Sequence, residues 1–210
     1  MPRLTDATKA ARRAQIIEAA ISCFLEKGYT NTSMSDIIKA SGLSSGSIYS
    51  HFSGKEDILI TAINERLNNV KELYETLPEG AGPQDILETI HTNQLVNDNF
   101  SAMLRIRAGS LHAPEIARAT ADTMPLLQGI IVKTLTPWAA EQLSVLHEIN
   151  PNSAQRTPEQ EALIADYARD TADAFMMVFQ GYMLRSFFGA PEEKDRLYRC
   201  LLYTSPSPRD

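Results

Sequence analysis

The side chains best arranged for chemistry lie between Ser33 and Glu56, in the run SMSDIIKASGLSSGSIYSHFSGKE. From Leu43 through Gly54 there is no acidic residue, while Ser44, Ser45, Ser47, Tyr49, Ser50 and His51 supply hydrogen-bonding groups around the small Gly46. Such a surface can approach a polyanion closely, because nothing on it repels negative charge and its small residues leave room. Lys55 follows at a helix start, where free backbone N–H groups also favour phosphate. Serines beside a histidine are also the raw material of a hydrolase. However, no nucleophile-elbow pattern surrounds them, and there is no glycine loop that cradles phosphate. His51, His91, His112 and His147 show no paired spacing with cysteine or acid, so neither a metal nor a cofactor is expected.

The elements that must position this face are written into the same run. Ser33 stands three residues before Asp36, Ser44 before Ser47, and Ser53 before Glu56. A hydroxyl at an N-cap accepts from a free N–H of the first turn, and an acid at N3 answers back to the cap. This predicts a capping box for Ser53 and something close to one for Ser33. Between the first two starts, Gly42 can take the left-handed backbone that ends a helix, and Leu43 can fold back onto the core. Ile48 and Phe52, four apart, share the inward face of the second helix. Short helix, tight turn and short helix form the layout of a helix-turn-helix.

Over Ile16–Leu59, IIEAAISCFLEKGYTNTSMSDIIKASGLSSGSIYSHFSGKEDIL, the chain resembles the DNA-binding domain of the TetR family of transcriptional regulators. Some twenty spaced positions carry the resemblance, across about a fifth of the chain. It implies an all-α protein: a three-helix DNA-binding head at 1–56, and a larger helical ligand-binding and dimerisation body at 57–199. It also implies a homodimer paired through its last two helices, and no enzymatic activity. The DNA contacts it implies are Thr32, Ser33, Ser44, Ser45, Gly46, Ser47, Tyr49, Ser50, His51 and Lys55. One position departs from the pattern: many relatives carry a lysine where this chain has Ser45, so operator sequence and affinity do not transfer.

Composition fits that division. The net charge of −6 is split unevenly. Residues 1–56 hold seven Lys/Arg against five Asp/Glu, and the remainder hold thirteen against twenty-one, giving +2 and −8. A mildly basic end on an acidic chain suits a protein that meets DNA at that end. A length of 210 residues is enough to bury a sizeable core. No apolar run approaches 18 residues, so no membrane span is expected. Met1–Arg13 is polar and basic, with no signal peptide, which makes the cytoplasm the default. Two cysteines, Cys23 and Cys200, build no disulfide framework.

In order, the periodicity predicts a helix over about Ala7–Lys27, the helix-turn-helix, and a long helix from after Ser53 to about Leu77. Pro78–Pro83 is a break. Body helices are predicted over Gln84–Asn97, Phe100–Leu111, Pro114–Glu148 and Pro158–Phe188, with a polar loop at Asn150–Thr157. Pro125 and Pro137 are expected to kink or interrupt the third of these. From Ala172 to Phe188 the chain is apolar almost all round, so this helix must be covered on more than one side, by its own body and by a second subunit.

The resemblance further implies a small-molecule effector held in the body and released DNA as its consequence. Candidate lining residues are Met103, Arg107, Trp138, Phe175, Phe179 and Tyr182. Met and aromatic side chains suit an apolar effector, and Arg105 or Arg107 an anionic one. The function that follows is a ligand-responsive regulator, a repressor, on a palindromic double-stranded operator. The alternative is a small-molecule-binding helical protein or enzyme without operator function. Finally, CLLYTSPSPRD at Cys200–Asp210 reads as a translated sequencing-library adapter, and 200–210 is taken as a non-native tail. Only Glu192–Arg199 would then remain of the final helix, and weakened dimerisation is the expectation.

Overall fold

The computed structural model describes residues 6–93, 102, 104, 106, 113–147, 149 and 156–204. Every regular element among them is a helix: α1 Asp6–Lys27, α2 Met34–Ser41, α3 Ser45–Tyr49, α4 Lys55–Glu75, α5 Pro83–Thr92, α6 Pro114–His147, α7 Pro158–Phe188 and α8 Pro191–Thr204. The predicted Phe100–Leu111 helix, the Asn150–Thr157 loop and the candidates Met103, Arg105 and Arg107 fall wholly or largely outside the described residues. By packing, the chain divides into two compact units. One comprises Met1–Asn69 with Asn99–Thr123, the other Val70–Asp98 with Met124–Asp210.

In the first unit, α1 buries Ile16, Ile17, Ala20, Cys23 and Phe24, a stripe at helical spacing. Cys23 is a buried apolar filler whose thiol burial pushes further from ionisation. Gly28 ends the helix at φ 79°, and Tyr29 turns back so that its ring meets Phe24 at 5.2 Å. Ile37, Ile48, Phe52, Ile58 and Leu59 close the same core, with Leu43 packed at its edge. Arg13 lies over the Phe52 ring at 4.7 Å.

In the second unit, α6 and α7 share a core of Ala139, Ala140, Leu143, Ile164 and Ala168. Of the kink or interruption expected at Pro125 and Pro137, the interruption is absent: α6 runs as one helix through both. In the turn before the second proline, Thr134 donates its hydroxyl to Ile130 O at 3.0 Å and Thr136 to Val132 O at 2.7 Å. α7 begins at a full capping box between Thr157 and Gln160, with Pro158 in its first turn. Its buried stripe is Ile164, Ala168, Ala172, Phe175, Tyr182 and Met183. The opposite stripe stands open, with Met177 69% and Phe188 76% exposed, so one chain covers only one side of this helix. The last helix, α8, continues beyond Arg199 to Thr204.

Candidate nucleic-acid interface

Local hydrogen bonds build the face presented by α3. At the start of α2, the Asp36 N–H donates to Ser33 Oγ at 3.2 Å and the Ser33 N–H donates to Asp36 Oδ2 at 2.9 Å, a complete capping box. Lys27 reaches Asp36 Oδ1 at 2.5 Å, and together with the Ser33 donors it holds this carboxyl well below the usual carboxylate range. Gly42 ends α2 at φ 67°. Ser44 then caps α3, its Oγ accepting from the Ser47 N–H at 3.2 Å.

Ser45, Gly46, Tyr49 and Ser50 are exposed, Ser47 and His51 are half-buried, and Ile48 and Phe52 point into the core. Tyr49 leaves 53% of its surface to solvent. A Cβ added at Gly46 would meet no atom within 4 Å, so nothing inside the chain demands a glycine there. The Ser47 hydroxyl is enclosed with no hydrogen-bond partner.

Ser53, Thr32 and Lys55 are each held by contacts within the chain. Ser53 is not an N-cap paired with Glu56. Helix α4 begins at Lys55, and Asp57 accepts from the Ser53 N–H at 2.9 Å and from its hydroxyl at 3.1 Å. The carboxylate one residue later faces back because the helix starts one residue later. Thr32 is 2% exposed, and its hydroxyl donates to Gly28 O at 2.8 Å and Cys23 O at 3.2 Å. Its side chain closes the end of α1 and is not offered to solvent. Lys55 Nζ lies against backbone carbonyls of the turn between α1 and α2. Tyr29, which the sequence did not single out, forms the floor beneath it. Burial first, and then Glu115 and Glu56, push the Tyr29 hydroxyl up to about 12.

With this geometry in hand, residues 16–62 match the model of the bacterial regulatory proteins, tetR family. These residues carry the helix-turn-helix region of TetR-family transcriptional regulators. The Fatty acid metabolism regulator protein of Bacillus subtilis (strain 168) is 29% identical over 133 residues, 60% of this chain and 69% of that protein. The HTH-type transcriptional repressor KstR2 of Rhodococcus jostii (strain RHA1) is 32% identical over 85 residues, 40% of this chain and 42% of that protein. The chain thus spans about two thirds of one curated relative and under half of the other. The reduced form of E. coli NemR shares the fold, with a TM-score of 0.62 at 16% identity over 95% of this chain and 100% of that one. TetR-family regulators bind DNA operators and small-molecule effectors, typically as dimers. No described helix is long and apolar enough to cross a membrane.

The candidate effector residues of the body are dispersed. Trp138 stacks on Tyr167 with centroids 5.9 Å apart. Phe175 and Phe179 lie parallel at 6.1 Å. Tyr182 is buried, with its hydroxyl 2.6 Å from His91 Nδ1. Burial holds the Tyr182 hydroxyl at about 12. A cleft of about 360 Å³ in the second unit is lined instead by Lys71, Tyr74, Ile130, Lys133 and Pro137, among others.

Proposed function

We propose that this TetR-family chain is a ligand-responsive repressor that reads a palindromic operator as a homodimer, with α3 entering the major groove of each half-site. The observation that carries the reading is the exposed, acid-free face of Ser45, Gly46, Tyr49 and Ser50, held by capped helix ends within a head that matches the family model. Glycine at 46 answers no need of the chain itself, and leaves room for a DNA backbone to come close. Ser33, Ser44, Ser47 and His51 border this face as further contacts. The functional division follows, with the head at 1–56 and the effector-binding and dimerising body at 57–199.

The open stripe of α7 supports pairing of two chains through α7 and α8, since it removes from water what a single chain leaves exposed. An effector bound in the body and favouring one spacing of the two heads would lower operator affinity by population shift. Purified protein titrated against its own promoter region and against random DNA of equal length tests the reading. A preference for the promoter is expected, and equal affinity for both would overturn it.

A further inference from the structure

Lys55 is the first residue of α4, and its ammonium is already spoken for. Nζ donates to the carbonyls of Tyr29 at 3.0 Å, Thr30 at 3.4 Å and Thr32 at 3.1 Å, and it stands 4.6 Å above the Tyr29 ring centroid. Three charge-assisted bonds and a cation–π contact use every proton of an ammonium. The carbonyls belong to the turn between α1 and α2, and Thr32 immediately precedes Ser33, the cap of α2. One side chain therefore ties the start of α4 to the approach of α2, across 23 to 26 residues of sequence.

The surroundings also disfavour a phosphate at this ammonium. Glu56, Asp57 and Glu115 line the same cleft as Lys55 and Tyr29, a concentration of negative charge that would repel a second anion. Swinging the ammonium out to DNA would leave three turn carbonyls without their donor.

We infer that Lys55 is a positioning residue for the DNA-binding face: it clamps the α1–α2 turn onto α4 and so sets the presentation of α2 and α3, without neutralising a phosphate itself. This role rests on the DNA-binding reading above. A phosphate ligand releases counterions when it binds, whereas a clamp does not, and the two are separated by the salt dependence of affinity.

The test uses the full-length protein and a fragment of its own promoter, at a temperature where circular dichroism shows each variant folded. For Lys55→Met the expectation is a loss of affinity of about tenfold or more, the scale of a lost recognition contact. The slope of log affinity on log salt should equal that of the wild type. Lys55→Arg keeps the charge but replaces a compact ammonium with a planar fork that does not fit three converging carbonyls. It should also lose affinity, and it decides the matter if Lys55→Met does not fold. A slope shallower by about 0.9 per half-site in Lys55→Met would overturn the inference. So would full affinity in Lys55→Arg, or affinity unchanged in Lys55→Met. Failure of the wild type itself to prefer its promoter would instead remove the DNA-binding reading, and this role with it.

Discussion

The Ser33 backbone N–H and the Asp36 backbone N–H exchange hydrogen bonds with each other's side chains, at 2.9 and 3.2 Å, and Lys27 bonds the far oxygen of the same carboxylate. The start of α2 therefore depends on one ionised acid. Its carboxyl is held below the ordinary value of 3.8 chiefly by Lys27 and then by Ser33. For a depressed carboxylate the contribution to stability is fully present above that ordinary value and is lost as the pH falls through the folded one. In urea melts, Asp36→Asn should be less stable than wild type at pH 7, and the gap should narrow steadily below pH 3.8. Ser33→Ala should lose about 1 kcal/mol at neutral pH through its cap.

Gly42 offers a clean reading of backbone strain. Its φ is 67° and an added Cβ meets nothing within 4 Å, so a substitution is penalised by conformation alone. Gly42→Asn should be tolerated best, and Gly42→Ala should lose about 1 kcal/mol. Gly42→Val should lose more, because β-branched side chains are the least suited to the left-handed region. Denaturant midpoints of the three variants, ranked in that order, are the expected result.

Tyr49 separates stability from recognition. With 53% of its surface exposed it contributes little to the core. Tyr49→Ala should leave the melting temperature within about 2 °C of wild type. If the ring packs on a thymine methyl or a base edge, the same change should weaken operator binding by about 1–3 kcal/mol. Fluorescence anisotropy against the promoter fragment measures the second effect.

Met177 and Phe188 test the pairing of two chains. Both stand on the uncovered stripe of α7. Met177→Glu and Phe188→Glu should leave helix content unchanged while shifting sedimentation from dimer toward monomer. Charge on a buried interface is strongly disfavoured, whereas charge on a free surface is not. Operator affinity should fall with the dimer, since on the proposed palindromic operator each half-site would be read by one head.

Much of the head was legible because its signals are local. Ser33 with Asp36, Ser44 with Ser47, and Gly42 between them act over three or four residues, and backbone geometry delivers such partners wherever the chain folds. The inward turn of Ile48 and Phe52 followed from helical spacing in the same way. Ser53 marks the limit of this reasoning: a helix start displaced by one residue exchanges Glu56 for Asp57 as its partner. The unbroken course of α6 through Pro125 and Pro137 was also hidden, since a local rule does not register that the turn after Pro137 packs Ala139, Ala140 and Leu143 against Ile164 and Ala168 of α7.

What the sequence determined by itself was the all-helical character, most helix limits, and the acid-free face of α3. Each depends on residues within a turn or two of one another. What only the tertiary structure decided was where long side chains go. Lys55 finds carbonyls more than twenty residues back, Thr32 turns inward onto α1, and the aromatic residues of the body separate into distinct stacks. A four-carbon stem can reach many partners at similar local expense, and only the packing of α1 beside α4 brings one set within hydrogen-bond distance.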